Sequence, residues 1–251
     1  MQNIYTFNKL STQTNCIHLV TQKDLSQNYG FSLALHTGEA QKDIIQNRNI
    51  LNEHFPHKHF IVANQTHSDN IVVIAKPKNS WLTKRENHAI EDCDALITNQ
   101  KDIILTIMTA DCVPVLLFDT KQHVVAIVHA GWKGTQQEIA LKTVEKMKEA
   151  FDSNPKDIIA GIAPAIGKCC YEVTWNVSQH FKRINNAYED KGERQMLDLP
   201  YINKEQLLHA GLKKENIEMS NICTACEVEN YFSYRKEQGC TGRFMSIIGL
   251  T

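Results

Sequence analysis

Three apolar runs stand close together in this chain: Ile103 to Met108, Val113 to Phe118 and Val124 to Val128. A strand with one face in water alternates apolar and polar residues. The first two runs barely alternate, so they predict strands buried on both faces, and the third predicts another interior strand. The longest apolar stretch, Ile103 to Phe118, is broken by Thr106, Thr109 and Asp111. It falls short of the roughly 20 apolar residues that span a bilayer. These runs predict the interior of a globular protein with no membrane partner.

Other elements fit around them. Ile17 to Thr21 predicts a strand, and Lys42 to Phe55 a helix with the stripe Ile44, Arg48, Leu51, Phe55. Arg48 sits where a core residue belongs. Either its stem packs while the guanidinium meets water or loose carbonyls, or it grips an anion or carbonyl in a cleft. Phe60 to Ala63 and Ile71 to Ala75 predict strand, turn, strand with His67 at the tip. A polar, irregular segment runs from Ser80 to Asp92, and a strand is expected over Ala95 to Thr98. After Gly134 a helix is predicted, with Thr135 and Glu138 at capping-box spacing and Ile139, Ala140, Val144, Met147 and Phe151 on one face. Asp157 to Ile162 and Arg243 to Ile248 predict strands, and Val177 to Ile184 and Lys204 to Ala210 helices, the latter stopped by Gly211. Strands and helices mix without strict alternation, which predicts an α+β fold with several sheets or one mixed sheet covered by helices.

A chain of 251 residues with only 11 Gly and 6 Pro has little material for a flexible linker, so one domain over residues 1–251 is expected. The formal charge of −1 carries no footprint for a polyanion, so no nucleic-acid partner is expected. The first ten residues lack a basic region followed by an apolar one, and the expected location is the cytoplasm. There, the 8 cysteines read as buried hydrophobes, metal ligands or nucleophiles rather than disulfides. Cys223-x-x-Cys226 lacks the second pair of a zinc ribbon, and packing is its favoured reading. The adjacent Cys169 and Cys170 point differently, which makes them awkward partners on one metal.

His67, Cys112 and His129 share a placement that packing does not require: each interrupts or ends an apolar strand. If those strands are neighbours, two imidazoles and a thiolate converge and leave one tetrahedral position open, as in catalytic zinc sites. The other reading is two satisfied core histidines and a buried thiol.

Several motifs run in order across the chain: Asn47-Arg48, Gln65-Thr66-His67, Asp94 to Thr98, Thr109-Ala110-Asp111-Cys112-Val113-Pro114, His129-Ala130-Gly131-Trp132-Lys133-Gly134, Cys169 to Val173, Phe232-Ser233-Tyr234-Arg235 and Thr241-Gly242-Arg243. Together they resemble the bacterial laccase-domain family, formerly called polyphenol oxidases. Many relatives have Arg at the position of Lys133 and Gly at that of Ser68. The resemblance implies a layered α/β/β/α fold related to bacterial toxin deamidases, with His67, Cys112 and His129 as zinc ligands. It also implies phosphorolysis of purine nucleosides such as adenosine, inosine and methylthioadenosine, and deamination of adenosine. The expected partners are a purine nucleoside and phosphate, and the expected assembly is a monomer or weak homodimer.

On this reading Cys112 and Asp111 are the catalytic residues, and Arg48, Lys133 and Gln65 the substrate contacts. Asp111 either shuttles protons or orients a ligand histidine. Copper is the less favoured metal: only His57-Lys58-His59 has the His-x-His form from which multicopper clusters are built. The other activities open to such a chain are a Cys112-dependent amidase or deamidase, for instance on peptidoglycan precursors, a copper-dependent phenol oxidase, and a non-catalytic partner protein.

Overall fold

A computed structural model describes residues 3–76 and 89–251. In chain order the strands are β1 (Ile4–Tyr5), β2 (Cys16–Thr21), β3 (His59–Val62), β4 (Ile71–Val73), β5 (Ala95–Thr98), β6 (Ile103–Thr109) and β7 (Val113–Asp119). They continue with β8 (Val124–Ala130), β9 (Ile158–Ile162), β10 (Glu172–Val173), β11 (Tyr188–Asp190), β12 (Gln195–Leu197), β13 (Ile217–Met219) and β14 (Phe244–Leu250). The helices are α1 (Asn8–Ser11), α2 (Gln41–Glu53), α3 (Trp132–Gln136), α4 (Ile139–Phe151), α5 (Trp175–Ser178) and α6 (Leu199–His209).

Two mixed sheets form the centre, ordered β1-β2-β14-β6-β3 and β13-β9-β7-β8-β5-β4. Their side chains follow the two-residue period of a strand. In β7, Val113, Val115 and Leu117 join the core under α4 and α6, while Leu116 and Phe118 join the core between the sheets. In β6, Ile103, Leu105 and Ile107 face that same inter-sheet core, while Ile104 and Met108 face the core beneath α2. Both faces are dry, which is why these runs carry almost no polar alternation. The result is the layered α/β/β/α arrangement, with a small third sheet, β10-β12-β11, at the side.

Three expectations need correction. Phe60–Ala63 and Ile71–Ala75 do not pair as a hairpin: β3 pairs with β6 in one sheet and β4 with β5 in the other, so the intervening loop crosses between sheets. The helix after Gly134 is broken, because Glu138 takes a left-handed conformation (φ +61°) and caps nothing with its side chain. Its expected apolar face is nevertheless buried at Ile139, Ala140, Val144 and Met147. The helix over Val177 to Ile184 is instead the short α5 followed by a 3₁₀ turn, Gln179–Phe181. Of the polar segment from Ser80, residues 80–88 lie outside the described residues. No helix among the described residues is long and apolar enough to cross a membrane.

The inter-sheet core is tightly packed where β9 passes Phe7. A Cβ on Gly161 would lie 2.6 Å from the Phe7 ring. That ring is fully buried, packs edge-on against Tyr5, and its backbone N–H donates to His18 Nε2 at 2.9 Å, so it has little freedom to retreat. Gly161→Ala is expected to cost about 1–3 kcal/mol through overpacking. Urea titration should show a lowered midpoint at unchanged slope; a wild-type midpoint would refute the packing argument.

Candidate active site

The three chemistry-bearing residues are brought together by the passage of the chain between sheets. His67 lies on the loop that leaves β3 in one sheet for β4 in the other, at φ +63°. Cys112 lies on the link from β6 in the first sheet to β7 in the second. His129 sits near the end of β8, opposite Pro114 of β7. The His67 and His129 rings meet edge to face with centroids 4.8 Å apart, and Cys112 Sγ is 3.8 Å from His67 Nε2. Gly131 makes this approach possible, since a Cβ there would lie 2.8 Å from His67 Cδ2 and 3.1 Å from Cys112 Sγ.

Beneath the trio lies Asp94, fully buried at the start of β5. Its carboxylate accepts hydrogen bonds from the backbone N–H groups of Thr66, His67 and Ser68 at 3.2, 3.1 and 2.8 Å, and from Ser68 Oγ at 2.8 Å. The Ser68 hydroxyl thus adds a bond to this carboxylate. The Thr66 hydroxyl adds a longer bond at 3.4 Å, and His129 Nδ1 lies at 2.7 Å. Burial alone would raise the Asp94 pKa. The His129 bond and charge and the Ser68 bonds outweigh it and hold the group at about 2. Asp94 thus fixes the His67 loop and turns His129 so that its other ring edge meets Cys112. Burial opposes charge on both Cys112 and His129, yet each favours the other's ion: the thiol is pulled below its ordinary range and the imidazole pushed above its own.

The donor atoms of His67, Cys112 and His129 lie within 4.8 Å of one another. A tetrahedral zinc at ordinary Zn–N and Zn–S lengths needs N···S separations of about 3.6 Å, so the 3.8 Å pair already has the right span. Asp94 on Nδ1 of a ligand histidine is the usual outer partner of such a centre. The group can hold a metal ion with one position left open.

The three residues line a cavity of about 570 Å³, within the range of small-molecule sites. Its wall includes Trp132, Tyr171, Tyr234, His36, Arg235 and Arg243. Of the sequence-predicted residues, Asp111 and Gln65 also line it. Gln65 pairs with the backbone of Met108 through Nε2 at 2.7 Å and Oε1 at 2.9 Å, locking the His67 loop to the end of β6. Asp111 sits at φ +87°, a costly conformation for a side chain of this type. Its Oδ1 accepts from Thr224 Oγ1 and its Oδ2 from the Arg235 backbone N–H, both at 2.7 Å. The residue that orients His129 is therefore Asp94 and not Asp111.

Arg48 and Lys133 are not brought into the cavity wall. Arg48 is 2% exposed, and its Nε donates to Leu33 O at 2.8 Å; with Asn47, which bonds Ser32 O, it holds the segment leading to His36. Of the readings open for Arg48, the structure has the first: the stem is packed and the guanidinium meets a backbone carbonyl, outside the cavity. Lys133 is exposed, with Nζ 5.8 Å from the Trp132 ring centroid. Sequence reasoning overlooked Arg235, Arg243 and the role of Asp94. The available signal for Asp94 was an acid set directly before the wholly apolar Ala95-Leu96-Ile97.

Metal-free protein should therefore hold Cys112 as a thiolate below the ordinary thiol range. Its alkylation by iodoacetamide is expected to stay fast at pH 7 and to slow only as acid protonates the sulfur. Asp94→Asn withdraws the carboxylate that favours the imidazolium, so the midpoint should move up by about one pH unit. A midpoint near that of a free cysteine in the parent protein would refute the ion pair.

The family described as multi-copper polyphenol oxidoreductase laccase matches residues 19–251. The chain is 34% identical to purine nucleoside phosphorylase YlmD of Bacillus subtilis (strain 168), over 86% of this chain and 80% of that one. It is 30% identical to a purine nucleoside phosphorylase of Bacteroides thetaiotaomicron, over 96% and 93%. Among solved structures, hypothetical protein YfiH of Bacillus licheniformis superposes with a TM-score of 0.92 at 31% identity, covering 100% of this chain and 97% of that one. YlmD of Geobacillus stearothermophilus does so with a TM-score of 0.85 at 29% identity, covering 95% and 93%. Sequence and fold agree: the chain belongs to the laccase-domain family, described as multi-copper polyphenol oxidoreductase laccases.

Proposed function

We propose that this protein is a zinc-dependent purine nucleoside enzyme of the cytoplasm. It splits adenosine, inosine or methylthioadenosine with phosphate into the base and (methylthio)ribose 1-phosphate, and it deaminates adenosine to inosine. The observation that carries the reading is the opening of the His67, Cys112 and His129 donor set into a cavity that also presents aromatic faces and two arginines. Relatives named purine nucleoside phosphorylase, at 34% and 30% identity, support it.

Trp132, Tyr171 and Tyr234 offer flat apolar faces suited to a purine, while Arg235 and Arg243 offer planar donor forks suited to phosphate. Arg243 Nη1 is anchored to the carbonyls of Thr241 and Gly242 at 2.9 and 2.8 Å, which fixes the direction of its remaining donors. Arg235 Nη1 is tied to Glu172 O at 2.8 Å, and the guanidinium lies 5.2 Å from the Tyr171 ring centroid. A zinc held by His67, Cys112 and His129 would supply a Lewis acid at its open position. Asp111 takes the acid/base role, exchanging a proton with the purine as its bond to the sugar or to ammonia breaks. Its anchors on Thr224 and Arg235 keep it at the cavity wall while it does so.

One observation favours a second reading. Cys112, His129 and Asp94 stand in the order nucleophile, base and orienting acid, as in cysteine hydrolases, with Asp94 on Nδ1 and the thiol on the opposite ring edge. In that reading Cys112 attacks an amide carbonyl.

Zinc-replete protein incubated with adenosine, with and without phosphate, tests both. Adenine with ribose 1-phosphate is expected when phosphate is present, inosine when it is absent, and neither with Cys112→Ala. Arg243→Ala should raise the KM for phosphate at least about tenfold, the loss of a charge-assisted contact. Asp111→Asn should lower kcat by about 10² or more with metal content intact. Inertness toward every nucleoside, combined with amide hydrolysis that survives chelator but not iodoacetamide, would replace the first reading with the second.

A further inference from the structure

A second group of sulfur atoms gathers behind the cavity wall, where the segment after β9 meets the segment after β13. The Sγ atoms of Cys169, Cys170, Cys223 and Cys226 all lie within 4.8 Å of one another. Cys226 Sγ is 3.6 Å from Cys169 Sγ and 3.4 Å from Cys170 Sγ. The expectation that neighbouring cysteines must diverge fails here because the backbone curls. The N–H groups of Cys170 and Tyr171 both donate to Gly167 O at 3.0 Å, and this tight turn brings both thiols to one side. On the other segment, Cys223 O accepts from Cys226 N at 3.1 Å and from Glu227 N at 2.9 Å, closing a second turn around its own pair.

The two turns are docked on each other. Ala165 and Cys223 form a parallel bridge, and a Cβ on Gly167 would lie 3.3 Å from Cys223 Cβ and 3.4 Å from Cys169 Sγ. The Gly167 N–H donates to Cys223 Sγ at 3.2 Å, a bond that favours a thiolate over a neutral thiol.

Four thiolates around one tetrahedral zinc, with Zn–S of about 2.3 Å, stand about 3.8 Å apart. The observed group has that span. Ligands of an iron–sulfur cluster are distributed over several irons and so stand farther apart. Cys226 is nearly equidistant from Cys169 and Cys170, so the arrangement singles out no disulfide pair, and all four cysteines are free.

From this geometry we infer that Cys169, Cys170, Cys223 and Cys226 bind one zinc ion in a closed tetrathiolate site, separate from the His67, Cys112 and His129 centre. Four protein ligands leave no position for substrate, so the ion is structural. What it holds together is the back of the active site. Thr224, between Cys223 and Cys226, donates to Asp111 through Oγ1 and to Ala165 O through its backbone N–H at 3.0 Å. Tyr171, next to Cys170, is part of the cavity wall. The ion would clamp the segment that anchors Asp111 to the segment that carries Tyr171.

Metal counting tests this independently of any turnover, so it stands or falls apart from the nucleoside reading. Protein purified with zinc under reducing conditions should contain two zinc ions per chain, and Cys112→Ala should retain one. Zinc K-edge X-ray absorption of Cys112→Ala should report sulfur-only coordination, and stripping that ion should lower its Tm by roughly 5 °C. Cys169→Ser with Cys226→Ser should remove the second ion from the parent protein. If that variant does not fold, the measurements on Cys112→Ala decide alone. Cys112→Ala devoid of zinc, zinc with nitrogen or oxygen ligands, copper in its place, or a non-reduced mass lower by two hydrogens from a disulfide among the four would each overturn the assignment.

Discussion

A single buried carboxylate organises the candidate active site. Asp94 is without solvent exposure, so its charge is tolerable only while every partner stays in place. Three successive N–H groups of the His67 loop, the Ser68 hydroxyl and the His129 ring converge on it. The loop holds His67 at positive φ between the two sheets, and Gln65 on Met108 is its second anchor. Loop position, imidazole orientation and the charge on the Cys112 sulfur therefore share one interaction and are coupled through it.

The two-sheet architecture explains why the chemistry sits at an edge. Strands buried on both faces carry few polar groups along their length, Thr106 being one, so ionisable residues collect near strand ends where the chain changes sheets. The His67 loop and the Cys112 link are two such crossings. Their neighbours supply what an edge lacks. The Asn47 and Arg48 side chains hold the segment carrying His36, and the Thr224 segment holds Asp111 from behind. Arg48, which reads as a substrate contact in the linear sequence, thus serves as a support, while Arg235 and Arg243 reach the cavity from the C-terminal part of the chain.

Local signals carried the secondary structure wherever packing reinforced them. The near-absence of alternation in β6, β7 and β8 located the interior correctly, and the stripe Ile44, Arg48, Leu51 is the buried face of α2. Local signals failed where tertiary contacts competed with them. The capping-box spacing of Thr135 and Glu138 gave way because Thr135 is buried against α6, where its hydroxyl accepts from Asn203 Nδ2 and its carbonyl from Gln206 Nε2. The two strands expected on either side of His67 are present but lie in different sheets, because periodicity reports which residues are apolar, not which sheet a strand joins.

The residues alone marked His67, Cys112 and His129, because a titratable side chain at the end of an apolar strand conflicts with burial and so stands out. They also fixed the buried strands and the α+β class, since a two-residue or helical period is a property of neighbours in the chain. The tertiary structure decided that Asp94 rather than Asp111 holds the imidazole, that Arg48 grips a carbonyl, and that four cysteines from distant segments share one point in space. Each of those outcomes depends on where a loop lies against the rest of the fold. That placement is set by which two strands the loop joins, and hydrophobic period carries no information about it.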